Sequence, residues 1–248
     1  MLQRAGNAGT ILFFRELAEL THEQSYREIA LTGAAYIAAQ VERITTFGLY
    51  RGLAGIAFAL DQVKRLSEDC SLLDALDLAI GRLGASAKEG HPGVQWNDSN
   101  DLFSGTAGIG LALVHLVRGT GRKDLLELAK GAGERLLALA RKSVYGDYWT
   151  SSTTHSTHYP NFSHGTAGIG YFLAELYEAT HDERYRTCAL AAGRYLRALA
   201  SKAETSNCLI FHNDAAGQEL PPICRAGRGL SHCESRKGCE QNEMDPGG

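Results

Sequence analysis

The stretch Asn161-Phe-Ser-His-Gly-Thr-Ala-Gly-Ile-Gly170 decides the fold, because its Gly-Thr-Ala-Gly-Ile-Gly core already stands, letter for letter, at Gly105 to Gly110. Shorter copies lie upstream as Gly52-Leu-Ala-Gly-Ile56 and Gly6-Asn-Ala-Gly9, so G-x-A-G begins at residues 6, 52, 105 and 165, at steps of 46, 53 and 60 residues. The apolar positions that follow keep the same register. Twenty residues after each first glycine come Tyr26, Leu72, Leu125 and Tyr185, and thirty-one after come Ile37, Leu83, Leu136 and Leu196. A period of this size marks a repeat architecture in which neighbours share one continuous core.

Between Asp124 and Ala140 the apolar residues at 125, 128, 129, 132, 136 and 139 follow the three-and-four spacing of a helix buried on one face. A second apolar stripe, Ile109, Leu113, Leu116 and Val117, starts at the glycines and ends near Gly119-Thr-Gly121. Each repeat is therefore predicted to be two antiparallel helices, and the chain an all-α assembly of repeated hairpins.

Two roles for the motif glycines stay open at this point. They let helices pack tightly, or they leave the N–H groups of the helix starts unsatisfied, so that several starts gathered at one end line a pocket with partial positive charge. On the second reading Gly52, Gly55, Gly105, Gly108, Gly165 and Gly168 border a substrate pocket.

The 248 residues are 44% apolar and 21% charged with net charge −3. No basic stripe interleaved with aromatics points to nucleic acid. No apolar run approaches the ~18 residues of a membrane span, and no signal peptide is apparent, so a cytoplasmic location is expected. Cys188 falls on a helix face equivalent to Leu128 and reads as a buried reduced thiol. From Pro221 onward the periodic leucines stop, which divides the chain into repeats over 1–220 and an atypical, disordered tail over 221–248. Cys224, Cys233 and Cys239 cluster in that tail beside His232, a possible zinc set whose spacings match no standard knuckle.

With Asn100-Asp-Leu-Phe-Ser-Gly-Thr-Ala-Gly108 in one copy and Phe162-Ser-His-Gly-Thr-Ala-Gly168 in the next, the chain resembles the lanthionine synthetase C-like family over about residues 1 to 220. The resemblance implies an α/α toroid, with an inner ring of helices wrapped by an outer ring and the glycine-led helix starts gathered around an active site. It implies a dehydrated precursor peptide as partner, whose Cys thiol adds to a dehydroalanine or dehydrobutyrine to close a thioether ring. It implies Zn²⁺, since metal coordination makes thiolate available at neutral pH. By position His164 matches the family's histidine in His-Gly-x-Ala-Gly and is expected to move the proton that the enolate takes up at carbon. Asp101 matches the acidic residue opening the preceding repeat and is expected to orient or polarise its partners, although an Asp ahead of a helix often acts only as a cap. Trp96, Tyr148, Trp149, His155, His158 and Tyr159 lie in the polar loops just before these motifs, where a peptide could be gripped, although a plain solvated loop is the simpler reading.

The departures from the family pattern are as telling. The Trp-Cys-x-Gly and Cys-His-Gly segments that hold zinc in the family are missing, and Cys224-Arg-Ala-Gly-Arg228 stands where the next motif is due. Four repeats make a little over half of the family's circuit, and both ends read as cut. Zinc is therefore not expected to be bound by the chain as it stands, unless Cys224, His232 and Cys233 improvise a site. Two other functions remain in view: a non-catalytic module binding a peptide or small thiol, and a carbohydrate-active α/α barrel, which needs paired carboxylates across a cleft. Asp98 and Asp101 are too close in sequence to form that pair alone.

Overall fold

The computed structural model describes residues 7–67, 69–203, 208–212 and 219–224. It is 66% helix, and every G-x-A-G opens a helix. Helix α1 (Asn7–Thr21), α3 (Leu53–Val63), α5 (Thr106–Thr120) and α7 (Thr166–Thr180) each begin one residue after the first glycine of a motif. Each is followed by an antiparallel partner: α2 (Gln24–Ala38), α4 (Cys70–Ala85), α6 (Lys123–Leu139) and α8 (Glu183–Ala203). Helices α1, α3, α5 and α7 pack side by side as an inner row, and the second helices form the layer outside them. This is the array of antiparallel hairpins expected from the repeats, and the arrangement of part of the α/α toroid that the resemblance implies.

Burial explains which helix goes inside. Helix α5 buries residues around its whole circumference, from Thr106 to Val114 without a break, as an element covered on all sides must. Helix α6 buries only Leu125, Ala129, Ala132, Gly133 and Leu136, and of the stripe read from its sequence Leu128 and Leu139 are partly buried. The core runs through Leu53, Leu60, Ile109, Leu113, Phe172 and Leu176, all fully buried, with Phe172 seated where a side chain at Gly110 would stand. Asp61, also fully buried, is held by Lys64 Nζ at 2.6 Å, and that ammonium donates onward to the Gly119 carbonyl at 3.0 Å. A buried charge persists only when it is paired in this way.

The hairpin turns carry a second repeat signature. Thr21, Thr120 and Thr180 end their helices with Oγ1 donating to the carbonyl four residues back, and the next residue, His22, Gly121 or His181, takes a left-handed conformation. That residue's N–H bonds back to the helix, which satisfies one of the terminal carbonyls.

After the second helix of the later repeats comes a short antiparallel strand pair: β1 (Lys88–Glu89) with β2 (Val94–Gln95), β3 (Arg141–Lys142) with β4 (Asp147–Tyr148), and β5 (Cys208–His212) with β6 (Glu219–Cys224). The expected boundary at residue 220 falls within β6. The remainder of the expected tail lies outside the described residues. No helix among the described residues is long and apolar enough to cross a membrane.

Candidate functional site

The loops that enter α3, α5 and α7 lie against one another, which brings three motif tips to one end of the assembly. Tyr50 N–H donates to the Phe103 carbonyl at 3.0 Å, and Phe103 N–H donates to the Ser163 carbonyl at 3.0 Å. Tyr50, Phe103 and Ser163 each stand two residues before the first glycine of their motif, so the same position is bonded from loop to loop.

The glycines make this stacking possible by close approach. A Cβ on Gly108 would overlap the Leu102 carbonyl oxygen, and one on Gly168 would overlap that of Phe162; Gly55 stands in the same relation to Leu49. Each loop folds back over the first turn of its own helix. Its carbonyls then take up the helix-start donors: Leu53 and Ala54 bond to Thr46 and Phe47, Thr106 and Gly108 to Ser99 and Asp101, and Thr166 and Ala167 to Tyr159 and Pro160. The expectation of unsatisfied N–H groups around a positively polarised pocket is thereby corrected, because these donors are already spent on backbone. Gly55, Gly105, Gly108, Gly165 and Gly168 are buried and Gly52 partly so; they shape the loops that carry the site.

His164 and Asp101 meet across two of these loops. His164 Nδ1 lies 2.8 Å from Asp101 Oδ2, with the imidazole 46% exposed and the carboxylate 7%. Asp101 Oδ1 accepts from the backbone N–H groups of Ser104 at 2.8 Å and Gly105 at 3.0 Å. One oxygen of Asp101 thus closes the turn that leads into α5, and the other holds the histidine. Asn161 occupies the equivalent place in the next loop and accepts from His164 N–H at 2.8 Å through Oδ1. A side-chain-to-backbone bond of this kind fixes the loop that carries the imidazole.

The chemistry follows from donor and acceptor bookkeeping. A carboxylate only accepts, so the hydrogen in the His164–Asp101 bond sits on Nδ1. Nε2 of this half-exposed ring then carries the lone pair through which a neutral imidazole accepts a proton. The ring also borders aromatics. Phe103 lies 5.1 Å from His164, and Tyr50 stacks on Phe103 at 5.1 Å with only 12° between the planes.

Several residues placed in the gripping loops do other work. Trp96 and Trp149 are 2% and 0% exposed, and their indole N–H groups donate to the Leu83 and Leu136 carbonyls at the ends of α4 and α6. They pin the strand pairs to the core, because a buried indole needs both apolar cover and an acceptor. Tyr148 packs between His158 and Tyr195. His155 turns its ring nitrogen to Ser152 and Thr154, and the Tyr159 carbonyl accepts the N–H of Thr166.

Among the described residues no three His, Cys, Asp or Glu side chains group closely enough to hold a metal ion. Cys188 lies buried as expected, its Sγ 3.6 Å from Asp147 Oδ2; burial, and secondarily the Asp147 charge, pushes its pKa up to about 12, the opposite of a ligand thiol. Cys224 closes β6, while His232, Cys233 and Cys239 lie outside the described residues. The described residues around His164 do not by themselves fit a zinc ion.

No curated protein matches the chain. Among solved structures, it is similar to an inactive variant of the α-1,6-mannanase GH76A of Salegentibacter sp. HEL1_6 in complex with α-1,6-mannotriose, with TM-score 0.54 and 15% identity over 77% of this chain and 60% of that one. The chain thus spans 60% of the length of that relative, and the likeness is one of fold. Nisin cyclase aligns at TM-score 0.43 and 14% identity over 79% of this chain and 69% of that one. A family model described as lanthionine synthetase C-like protein matches residues 4–213. That match takes in all four glycine motifs together with His164 and Asp101, and the chain belongs to the lanthionine synthetase C-like family.

Proposed function

We propose that His164 and Asp101 form the proton-transfer centre of a peptide-modifying site that adds a Cys thiol to a dehydroamino acid. The observation that carries this reading is the 2.8 Å bond from His164 Nδ1 to a nearly buried carboxylate, on an imidazole that is 46% exposed at the meeting of two motif loops. In the reaction the thiol sulfur bonds to Cβ, the C=C electron pair moves toward Cα and the adjacent carbonyl, and Cα takes up one proton. Nε2 of His164 accepts the proton leaving sulfur and returns it to Cα, so that atoms and charge balance. Asp101 keeps hydrogen on Nδ1 and stabilises the imidazolium while it exists. No step is assigned to zinc, because the described residues do not assemble a ligand set around the site.

A carbohydrate reading finds less support. Both oxygens of Asp101 are engaged within the protein, so it is poorly placed to act as one of two carboxylates facing a sugar.

The experiment uses the purified chain and a synthetic peptide carrying one dehydroalanine and one Cys. Ring closure leaves the mass unchanged, so it is followed by loss of alkylatable thiol in mass spectrometry. Turnover that falls about 10²- to 10⁴-fold in His164→Asn supports the assignment. Equal rates in parent and variant refute it.

A further inference from the structure

We propose that Tyr50 and Phe103 form a subsite that holds an apolar or aromatic side chain of the peptide segment whose neighbouring residue reaches His164. The inference rests on the reading of His164 and Asp101 as the reacting centre. It goes beyond that reading by naming what is recognised beside it and which residues recognise it.

Three loops contribute one ring each to a continuous row. Tyr50 stacks on Phe103, and Phe103 stands against His164, each pair with centroids 5.1 Å apart. The order of the row is fixed by backbone, through the bonds from Tyr50 N–H to the Phe103 carbonyl and from Phe103 N–H to the Ser163 carbonyl. Tyr50 is 51% exposed, although a tyrosine of this size is more often covered when it has a stacking partner. The row therefore presents ring surface to solvent at its far end and imidazole at its near end.

The polar groups around the row narrow the ligand chemistry. Asp101 spends Oδ1 on Ser104 and Gly105 and Oδ2 on His164; Asn161 spends Oδ1 on His164 N–H; Asn97 Nδ2 donates to the Ser104 carbonyl. With these atoms bonded inside the protein, the half-exposed Tyr50 ring is the recognition surface the row offers. That favours an apolar or planar side chain over a hydroxyl-rich sugar, which needs free donors and acceptors beside the platform.

Distance sets where in the peptide that side chain falls. Two successive steps of 5.1 Å place the Tyr50 ring within about 10 Å of His164, and an extended chain advances ~3.3 Å per residue, so the anchored side chain lies about two to three residues from the dehydro residue.

Two peptides that differ only in Phe or Ser at that distance from the dehydroalanine test the idea. The Phe peptide is expected to show a KM about tenfold lower, with kcat much less affected, and Tyr50→Ala to bring its KM up to that of the Ser peptide. Ring NMR signals are followed in parallel with N-acetylphenylalaninamide, N-acetylserinamide and mannotriose at millimolar concentration. Shifts of Tyr50 and Phe103 with the phenylalanine amide, retained in His164→Asn, support the subsite. If no peptide turns over and these shifts still occur, the reaction assignment falls and the subsite stands. A preference that survives Tyr50→Ala in a variant with parental circular dichroism, or ring signals that respond to mannotriose and not to the phenylalanine amide, overturns it.

Discussion

Replacing Asp101 by Asn separates its two jobs. The side-chain oxygen that accepts from Ser104 and Gly105 caps the turn, and an amide oxygen can do the same. With that oxygen committed, the amide NH₂ faces His164, where a carboxylate oxygen now accepts at 2.8 Å. An NH₂ group donates, so His164 Nδ1 must accept and its hydrogen moves to Nε2. The neutral ring then has no lone pair at Nε2, the atom proposed to meet substrate. Restoring it means turning the amide over and surrendering the bonds to Ser104 and Gly105, at about 1 kcal/mol each net and more because the group is 5% exposed. A total of about 2 to 4 kcal/mol corresponds to a rate loss of about 30- to 1,000-fold. Stability should change by less than about 1 kcal/mol, whereas Asp101→Ala, which also removes the cap, should cost about 1 kcal/mol or more. The assays are thiol loss from the dehydroalanine peptide, thermal unfolding, and ¹⁵N NMR of the imidazole. A rate within threefold of the parent, or a His164 ring whose hydrogen stays on Nδ1 in Asp101→Asn, refutes the reasoning.

Three further outcomes are expected. Gly168→Ala drives a methyl into the Phe162 carbonyl and should both lower the melting temperature and shift the His164 ring signals, while Gly193→Ala, where nothing lies within 4 Å of the new carbon, should raise stability by about 0.5 to 1 kcal/mol. Cys188, with its pKa pushed up by burial and by Asp147, should resist iodoacetamide at about pH 8 in the folded chain and react after denaturation, as read by peptide mapping. Burial first, and the Arg118 charge second, lower the pKa of His115 against a smaller opposing effect of Glu175. The unfolded chain therefore takes the proton first as pH falls, and stability present above the ordinary histidine range is lost between that range and the depressed value. His115→Gln should make the melting temperature fall less steeply between about pH 7 and 5; an identical slope in both proteins removes the assignment.

The hairpins and their glycine-led starts are legible in the sequence because both signals are local and recur: G-x-A-G at four positions, then a three-and-four apolar stripe. His164 and Asp101 are picked out by the resemblance of their motifs to the family pattern, not by spacing. Their bond is hidden from either, because it joins the last residue before one motif to the residue four places before another, a relation that only the stacking of loops creates. Tyr50 and Phe103 escape a linear reading for the same reason, though both stand two residues ahead of a motif glycine, a coincidence the register contains. Loop position misplaces the tryptophans. Yet Trp96 and Trp149 each lie thirteen residues after a register leucine, Leu83 or Leu136, whose carbonyl they bond, and that spacing is present in the sequence. The helix-start donors, expected to face a ligand, are given instead to loop carbonyls that only a glycine lets so close.

The repeats also differ in length in an instructive way. From the first motif glycine to the end of the second helix the count barely changes, running from 6 to 38, 52 to 85 and 105 to 139. The growth in period is almost wholly taken up between that helix and the next motif, where the chain runs from 38 to 52, from 85 to 105 and from 139 to 165. Insertions there lengthen the rim while the anchor points of the imidazole and its carboxylate stay put. Evolution, or an engineer, can therefore graft new segments onto this scaffold without retuning the bond between His164 and Asp101.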